Sequence, residues 1–504
     1  MLSKSLNNLL NPESDNDLAI IIPGKWSISY KDYSDQIERV SGLLTGNGLS
    51  QGDTVSIVLH NGLEFMILFL AITHAGGVAA PLNPNYTSTE FEFYMKDGGS
   101  KFVVISNDKS PAITAANNLK IPILTTSFAS GNLTIAQEGN KLSKSLDPAT
   151  PSEDDIALFL HTSGTTNRPK GVPLKHQNLM ESISNIMKHY SLNFEDRSMI
   201  VMPLFHVHGL IGASLSTLMS GGTLIIPQKF SASTFWMDVK TYGATWYSAV
   251  PTIHQVLLLR ADEDKAPHES FRFIRSCSAA LAPTILDNLE TRFGAPVLEA
   301  YGMTEASHQM SSNPLPPQFR KPGTVGIPTG VEIAIMDSNN PGKFLDPEEK
   351  GEVVIKGKNV MKGYNNNPSA NEEAFVNDWF RTGDQGIIDK DNYLTITGRL
   401  KELINRAGEK ISPLEVDAAL LKHESVIEAV SFAVNDEKYG ECVHAAVVLN
   451  EPSVDSESIR THCAGILADF KIPDVIYITD NLPRTATGKI QRRHVAATFS
   501  KTSS

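Results

Sequence analysis

Eleven consecutive residues, His161-Thr162-Ser163-Gly164-Thr165-Thr166-Asn167-Arg168-Pro169-Lys170-Gly171, follow directly on the apolar run IALFL. A strand feeding a loop of glycines and small hydroxyl residues presents backbone N–H groups, hydroxyls and cations to a polyphosphate. The segment is therefore expected to hold the phosphates of ATP, with Lys170 as a cation at its end. It lacks the GxxxxGK[ST] pattern, which disfavours a P-loop NTPase. A lone Ser-Gly-Thr tripeptide would be an ordinary surface loop; the length of this one and its Pro-Lys-Gly ending set it apart.

Four further blocks follow in order: Tyr301-Gly302-Met303-Thr304-Glu305, Trp379-Phe380-Arg381-Thr382-Gly383-Asp384, Gly398-Arg399-Leu400-Lys401-Glu402, and Pro483-Arg484-Thr485-Ala486-Thr487-Gly488-Lys489. With the phosphate loop they resemble, over nearly the whole chain, the adenylate-forming superfamily of acyl-CoA synthetases, luciferases and peptide-synthetase adenylation domains. The resemblance implies a carboxylic acid activated by ATP as its acyl-adenylate and then transferred to a thiol, coenzyme A. A non-catalytic binding protein is disfavoured, because Lys170, Glu305, Asp384 and Lys489 are all in place.

The same resemblance distributes roles. Glu305 is expected to ligate Mg²⁺, a hard cation that takes oxygen ligands, and Thr304 to contact the α-phosphate. Thr162, Ser163, Gly164, Thr165 and Thr166 belong to the phosphate site with Lys170. Ser278, Ala279, Ala280, Glu299, Ala300, Tyr301 and Gly302 are placed around the nucleotide, with Tyr301 and the 278–280 segment flanking adenine. Asp384 accepts from the ribose hydroxyls, a diol being a natural partner for a two-oxygen acceptor, and Arg399 reaches the ribose or α-phosphate. Lys489 is the cation that swings in on the C-terminal domain for adenylation. Lys401 is the hinge for that motion, and Gly408 allows close approach of the pantetheine arm. Catalysis of this kind is mostly positioning and neutralisation of developing negative charge.

The acid pocket is expected from Pro203-Leu204-Phe205-His206-Val207-His208-Gly209 and from residues around Ser278 and Tyr301. Synthetases for long or aromatic acids line it with apolar side chains, since a buried polar group without a partner costs about 1–3 kcal/mol. This chain has His206, Ser278 and His308, with Arg275 close by in sequence. Facing the pocket, they would hydrogen-bond a second carboxylate that stays ionised. Pocket polarity alone does not separate oxalate from malonate. HTSGTTNRPKGVPL, PLFHVHGL, SAVPTIHQ, FIRSCSAALAP and MTEASHQMSSNPLP are similar to the oxalate-CoA ligases of plants and fungi, which favours oxalate. The alternative is a medium-chain or aromatic acyl-CoA ligase with His308 turned away. An amino-acid-activating domain would need an acid for the substrate ammonium, where LFHVHG offers histidines. His208 and His254 are read as structural.

The elements that must position these residues are those of an α/β protein. Short runs such as FVVIS, GGTLIIP and GEVVIKG alternate with amphipathic helix-length segments. TILDNLETRFG places Ile285, Leu286 and Leu289 at helical spacing and ends on Gly294. EFMILFLAITHAGG, apolar from Phe65 to Ala71, is too short for the roughly 20 residues of a membrane span and reads as a buried helix. After the strand YLTITGR the texture changes, and RLKELINRAGEKIS reads as an exposed connection. The boundary falls there, giving a large N-terminal domain of mixed sheets and helices, 1–400, and a small mobile α+β C-terminal domain, 401–504. Ser412-Pro413-Leu414-Glu415 signals a helix start, AVSFAV and HAAVVL are strands, and a helix begins near Ile459.

A chain of 504 residues exceeds the size of a single core. Its 41% hydrophobic and 20% charged content is that of a globular protein. A formal net charge of −12 with scattered basic residues predicts no global nucleic-acid footprint. Cys277, Cys442 and Cys463 suit neither a disulfide framework nor a zinc site and are read as free thiols. The N-terminal MLSKSLNNLLNPESDN is a poor secretory signal and the C-terminal KTSS is not SKL, so a cytoplasmic enzyme free of membrane attachment is expected.

Overall fold

The computed structural model describes residues 5–10, 12–106, 109–129, 131–162, 169–261, 271–450, 453–484 and 490–499. Among them run four sheets, three from the first 400 residues and one from the C-terminal part. The architecture is α/β with a separate, smaller C-terminal domain.

The centre of the nine-stranded sheet is parallel. Leu18–Ile22, Thr223–Ile225, Arg197–Met199, Trp246–Ala249, Phe273–Cys277 and Val297–Met303 lie side by side in that order. Antiparallel strands Trp26–Ser29 and His308–Ser312 flank this parallel centre. The eight-stranded sheet has the same plan, with Thr54–Val58, Val78–Pro81, Ser100–Ser106 and Ile156–Thr162 parallel and Lys170–Lys175 antiparallel beside Ile156–Thr162. Parallel strands buried on both faces need apolar runs without alternation, which is why LAIII, TVSIV and IALFL read as they do.

Helix Leu63–His74 sits in the largest core, with Leu63 and every residue from Phe65 to Thr73 buried. A helix apolar all round belongs inside, and no described helix is long and apolar enough to cross a membrane. Helix Pro283–Phe293 ends on Gly294 in the left-handed conformation, as the sequence signalled. Cys277, Cys442 and Cys463 are buried, unpaired thiols.

The C-terminal sheet is built from Ile404–Arg406, Glu409–Ile411, Val426–Asp436, Gly440–Leu449 and Val475–Ile478. It has its own core, in which Ile404, Val416, Leu420, Val443, Ala445 and Ile459 are buried. Two local expectations are corrected. The segment after Arg399 is no mere exposed connection: a 3-10 turn Leu400–Glu402 leads into a hairpin whose end residues Ile404 and Ile411 are buried beneath its charged tip. Ser412 stands at the N-cap of helix Pro413–Leu420 without capping it. Its hydroxyl donates instead to the Thr397 carbonyl, and Glu415 pairs with Lys471. Helix Ser456–Ala464 begins three residues before Ile459, capped by Asp455.

Candidate functional site

In open parallel sheets ligands bind beyond the carboxyl ends of the strands, where loops diverge. Here both large sheets direct such ends at one cleft of about 1770 Å³. Thr162 ends one strand, Ser278 follows Phe273–Cys277 and Thr304 follows Val297–Met303. Lys170 opens the strand paired with Thr162. The cleft is lined by Thr162, Lys170, His206, Ser278, Ala279, Ala280, Glu299, Ala300, Tyr301, Gly302, Thr304, Glu305, His308, Asp384, Arg399 and Lys401. Leu414, Glu415, Lys471, Arg484 and His494 of the C-terminal domain line it as well. Residues scattered from 162 to 401 in sequence are therefore neighbours in space.

Glu305 is buried in the floor, on a short 3-10 turn. Its Oε1 accepts from the Tyr364 hydroxyl at 2.9 Å and from Thr162 Oγ1 at 3.4 Å. Burial pushes its carboxyl above the usual range, while these donors pull the other way. No described lysine, arginine or histidine makes an ion pair with it. Lys170 Nζ lies 4.5 Å from the centre of the Tyr364 ring, so a carboxylate, a phenol and an ammonium group converge around one point.

Asp384 is gripped from two sides. Tyr301 Oη donates to Oδ2 at 2.5 Å and Arg399 Nε to Oδ1 at 2.8 Å. The ion pair holds the Arg399 guanidinium more firmly protonated, and burial together with Asp384 keeps the Tyr301 phenol neutral. Glu299 accepts from the Gly323 N–H at 2.9 Å, and burial lifts its carboxyl to about 7. Glu352 binds Arg381 at 2.7 Å and the Gly383 N–H at 3.1 Å, fixing the turn that aims Asp384.

The acid end is polar and buried. His206 lines the cleft, and its Nδ1 accepts from the His208 N–H at 3.2 Å. His208 does not line it; its Nε2 lies 2.7 Å from Ser248 Oγ and its Nδ1 3.1 Å from Ser278 Oγ. His308 lines the cleft, stacked on His208 with ring centres 5.2 Å apart. Ser278, Ser307 and His308 have φ of 76°, 51° and 96°, a region non-glycine residues seldom occupy and which clusters at functional sites. His254 meets the Tyr247 hydroxyl at 3.0 Å and burial lowers it to about 3, a core histidine.

Residues 12–365 match the AMP-binding enzyme family and residues 415–489 match the AMP-binding enzyme C-terminal domain. The chain belongs to the AMP-binding enzyme family. It is 50% identical to an oxalate–CoA ligase of Arabidopsis thaliana, covering 99% of this chain and 98% of that one. It is 44% identical to an oxalate–CoA ligase of Saccharomyces cerevisiae, covering 97% and 96%. The crystal structure of ATP-bound MatB from Rhodopseudomonas palustris superposes with a TM-score of 0.90 at 30% identity over all of both chains.

This AMP-binding enzyme uses ATP, Mg²⁺ and coenzyme A. The residues present fit Mg²⁺. Among the described residues no group of three or more His, Cys, Asp or Glu side chains could hold a metal alone, and Mg²⁺ usually takes one or two carboxylates together with substrate phosphates. A buried Glu305, which makes no ion pair with a described cation, provides the one carboxylate.

Two parts of the sequence reading are not brought into this arrangement. Ser163, Gly164, Thr165, Thr166 and Lys489 lie outside the described residues. Gly408 is exposed at the hairpin tip and does not line the cleft. Tyr364 was missed. It sits in the unpatterned stretch KGYNNNP, and its 59-residue separation from Glu305 leaves no local signal.

Proposed function

We propose that the chain is an AMP-forming acid–thiol ligase that converts oxalate, ATP and CoA to oxalyl-CoA, AMP and pyrophosphate through an acyl-adenylate. The observation that carries the acid class is the convergence of His206, Ser278 and His308 on the same cleft as Glu305 and Lys170. Near-full-length identity to oxalate–CoA ligases supports oxalate within that class.

The roles follow from where the groups stand. One oxygen of the acid attacks the α-phosphorus, the bond to the bridging oxygen breaks, and pyrophosphate departs. Asp384, held by Tyr301 and Arg399, accepts from the ribose hydroxyls and fixes the nucleotide along the cleft. Ala279, Ala280 and Ala300, with their small side chains, line the cleft where the base is placed. Thr304, Thr162 and Lys170 donate to phosphate oxygens, where preorganised donors stabilise developing charge without reorganising. When bound at Glu305, Mg²⁺ supplies Lewis-acid neutralisation of the phosphate oxygens. His206 donates to the reacting carboxylate, while His308 and Ser278 hold the second one. CoA sulfur then attacks the carbonyl carbon and AMP leaves.

Lys489 on the C-terminal domain is proposed to serve the first step, with the boundary between 1–400 and 401–504 pivoting at Lys401 before the second. Lys401 lies in the 3-10 turn joining the two parts, where a few dihedral changes move a whole domain. ATP–pyrophosphate exchange across oxalate, malonate, acetate, hexanoate and coumarate tests the reading. Exchange with oxalate is expected; exchange with hexanoate and none with oxalate would reject it.

A further inference from the structure

Arg275 lies on strand Phe273–Cys277 and is fully enclosed, with no exposed surface. A guanidinium so placed ordinarily has a carboxylate beside it, since an isolated buried charge is costly. Here every described partner is neutral. Nε donates to the Tyr190 hydroxyl at 3.0 Å, Nη1 to Ser248 Oγ at 3.0 Å, and Nη2 to His308 Nε2 at 2.7 Å and Gln309 Oε1 at 2.8 Å. Arg275 does not line the cleft, whereas His308 does. The free protein thus keeps a positive charge one side chain behind its acid pocket with no described anion to balance it.

Hydrogen-bond direction extends that charge into the cleft. Guanidinium carries donors only, so His308 Nε2 must accept, and the imidazole proton sits on Nδ1. Ser248 Oγ accepts from Arg275 and is 2.7 Å from His208 Nε2, and His208 Nδ1 is 3.1 Å from Ser278 Oγ. With Ser248 donating to His208 and His208 to Ser278, the Ser278 hydroxyl proton is left to point onward, and aligned chains of this kind strengthen one another.

We propose that Arg275 is the positioning residue for acid specificity: without touching the acid, it aligns a direct relay through His308 and an indirect one through Ser248, His208 and Ser278. Both end in donors at the cleft, where the non-reacting carboxylate of a short dicarboxylate sits, and that carboxylate supplies the missing counter-charge. The inference rests on the dicarboxylate reading above and adds to it a residue outside the pocket.

The test compares full-length wild type with Arg275→Met and Arg275→Lys by initial-rate kinetics in oxalate and in ATP. Arg275→Met is expected to raise KM for oxalate by about tenfold or more while KM for ATP stays within about twofold, and Arg275→Lys to recover part of the loss. Parallel rises in both KM values, or an unchanged oxalate KM, would overturn it. A measurement on the wild type covers the case in which the variants do not fold: nitrogen-15 NMR of labelled histidines, with His308 assigned through His308→Gln. A proton on Nδ1 and a bare Nε2 at neutral pH is the expected state; the opposite tautomer or an imidazolium would overturn the inference. A wild type with no oxalate-dependent exchange rejects the substrate reading instead, so the two failures are distinguishable.

Discussion

The Tyr364 hydroxyl donates to Glu305 Oε1 across 2.9 Å, joining the stretch between the Tyr301–Glu305 and Trp379–Asp384 blocks to the carboxylate that ends the earlier one. This bond favours the ionised form of a carboxyl that burial pushes above its ordinary range. Tyr364→Phe removes the donor and keeps the ring beneath Lys170. A hydrogen bond to a charged group contributes about 1.5–3 kcal/mol, so kcat/KM is expected to fall about ten- to hundredfold, with a higher Mg²⁺ requirement. Titration of exchange activity against Mg²⁺ checks this; an unchanged Mg²⁺ dependence would remove Tyr364 from the site.

The grip on Asp384 makes a prediction for the nucleotide end. Asp384→Asn leaves one acceptor oxygen where Tyr301 and Arg399 now bind two, and it strips Arg399 of its charge partner. KM for ATP is expected to rise about tenfold, with KM for oxalate little changed. Initial rates at varied ATP and oxalate distinguish this from a general loss of fold, which would move both.

How far the site was legible in sequence depended on how local each signal was. Thr162, Lys170, Glu305, Asp384 and Arg399 stand in contiguous motifs, and they line one cleft. Helix Leu63–His74 was legible because an apolar run without polar breaks has to be buried. Tyr364 and the setting of Arg275 were not, because each depends on partners dozens of residues away. The hairpin after Arg399 was hidden by its charged tip, with only Ile404 and Ile411 reporting a buried side. Ser412 satisfied a capping pattern, yet its hydroxyl found the Thr397 carbonyl, a tertiary partner overriding a local one.

Gly212 marks a close approach. A Cβ at this position would lie 2.3 Å from both Cδ2 and Nε2 of His308 and 3.1 Å from Arg275 Nη1. The imidazole cannot yield without breaking its bond to Arg275. Gly212→Ala is therefore expected to lower stability by about 1–3 kcal/mol through overpacking and to raise KM for oxalate more than KM for ATP. Urea unfolding and initial rates together check both halves.

Glu299 predicts a pH dependence of stability. Its folded carboxyl, lifted to about 7 by burial, binds its proton more tightly than the unfolded chain does. Its contribution is therefore fully present below the ordinary carboxylate range and is lost as pH rises through about 7. Glu299→Gln keeps an acceptor for the Gly323 N–H and cannot ionise. Between pH 5 and pH 8 the wild type should lose on the order of 1–3 kcal/mol that this variant retains, as read by urea unfolding at each pH. An identical decline in the two proteins would place the titrating group elsewhere.

The proposed division of labour between the two steps is tested at Lys489. Lys489→Ala is expected to abolish pyrophosphate exchange while largely sparing thioester formation from supplied oxalyl-adenylate. Equal loss of both would show that the lysine is not specific to the first step.

The central claim is that the acid's own oxygen attacks the α-phosphorus of ATP and leaves with AMP. Incubation of the protein with oxalate labelled throughout with oxygen-18, ATP and CoA, followed by mass spectrometry of the products, reads this directly. One labelled oxygen in AMP, none in pyrophosphate, and an oxalyl thioester of CoA is the predicted result; unlabelled AMP, or label in inorganic phosphate, would contradict it.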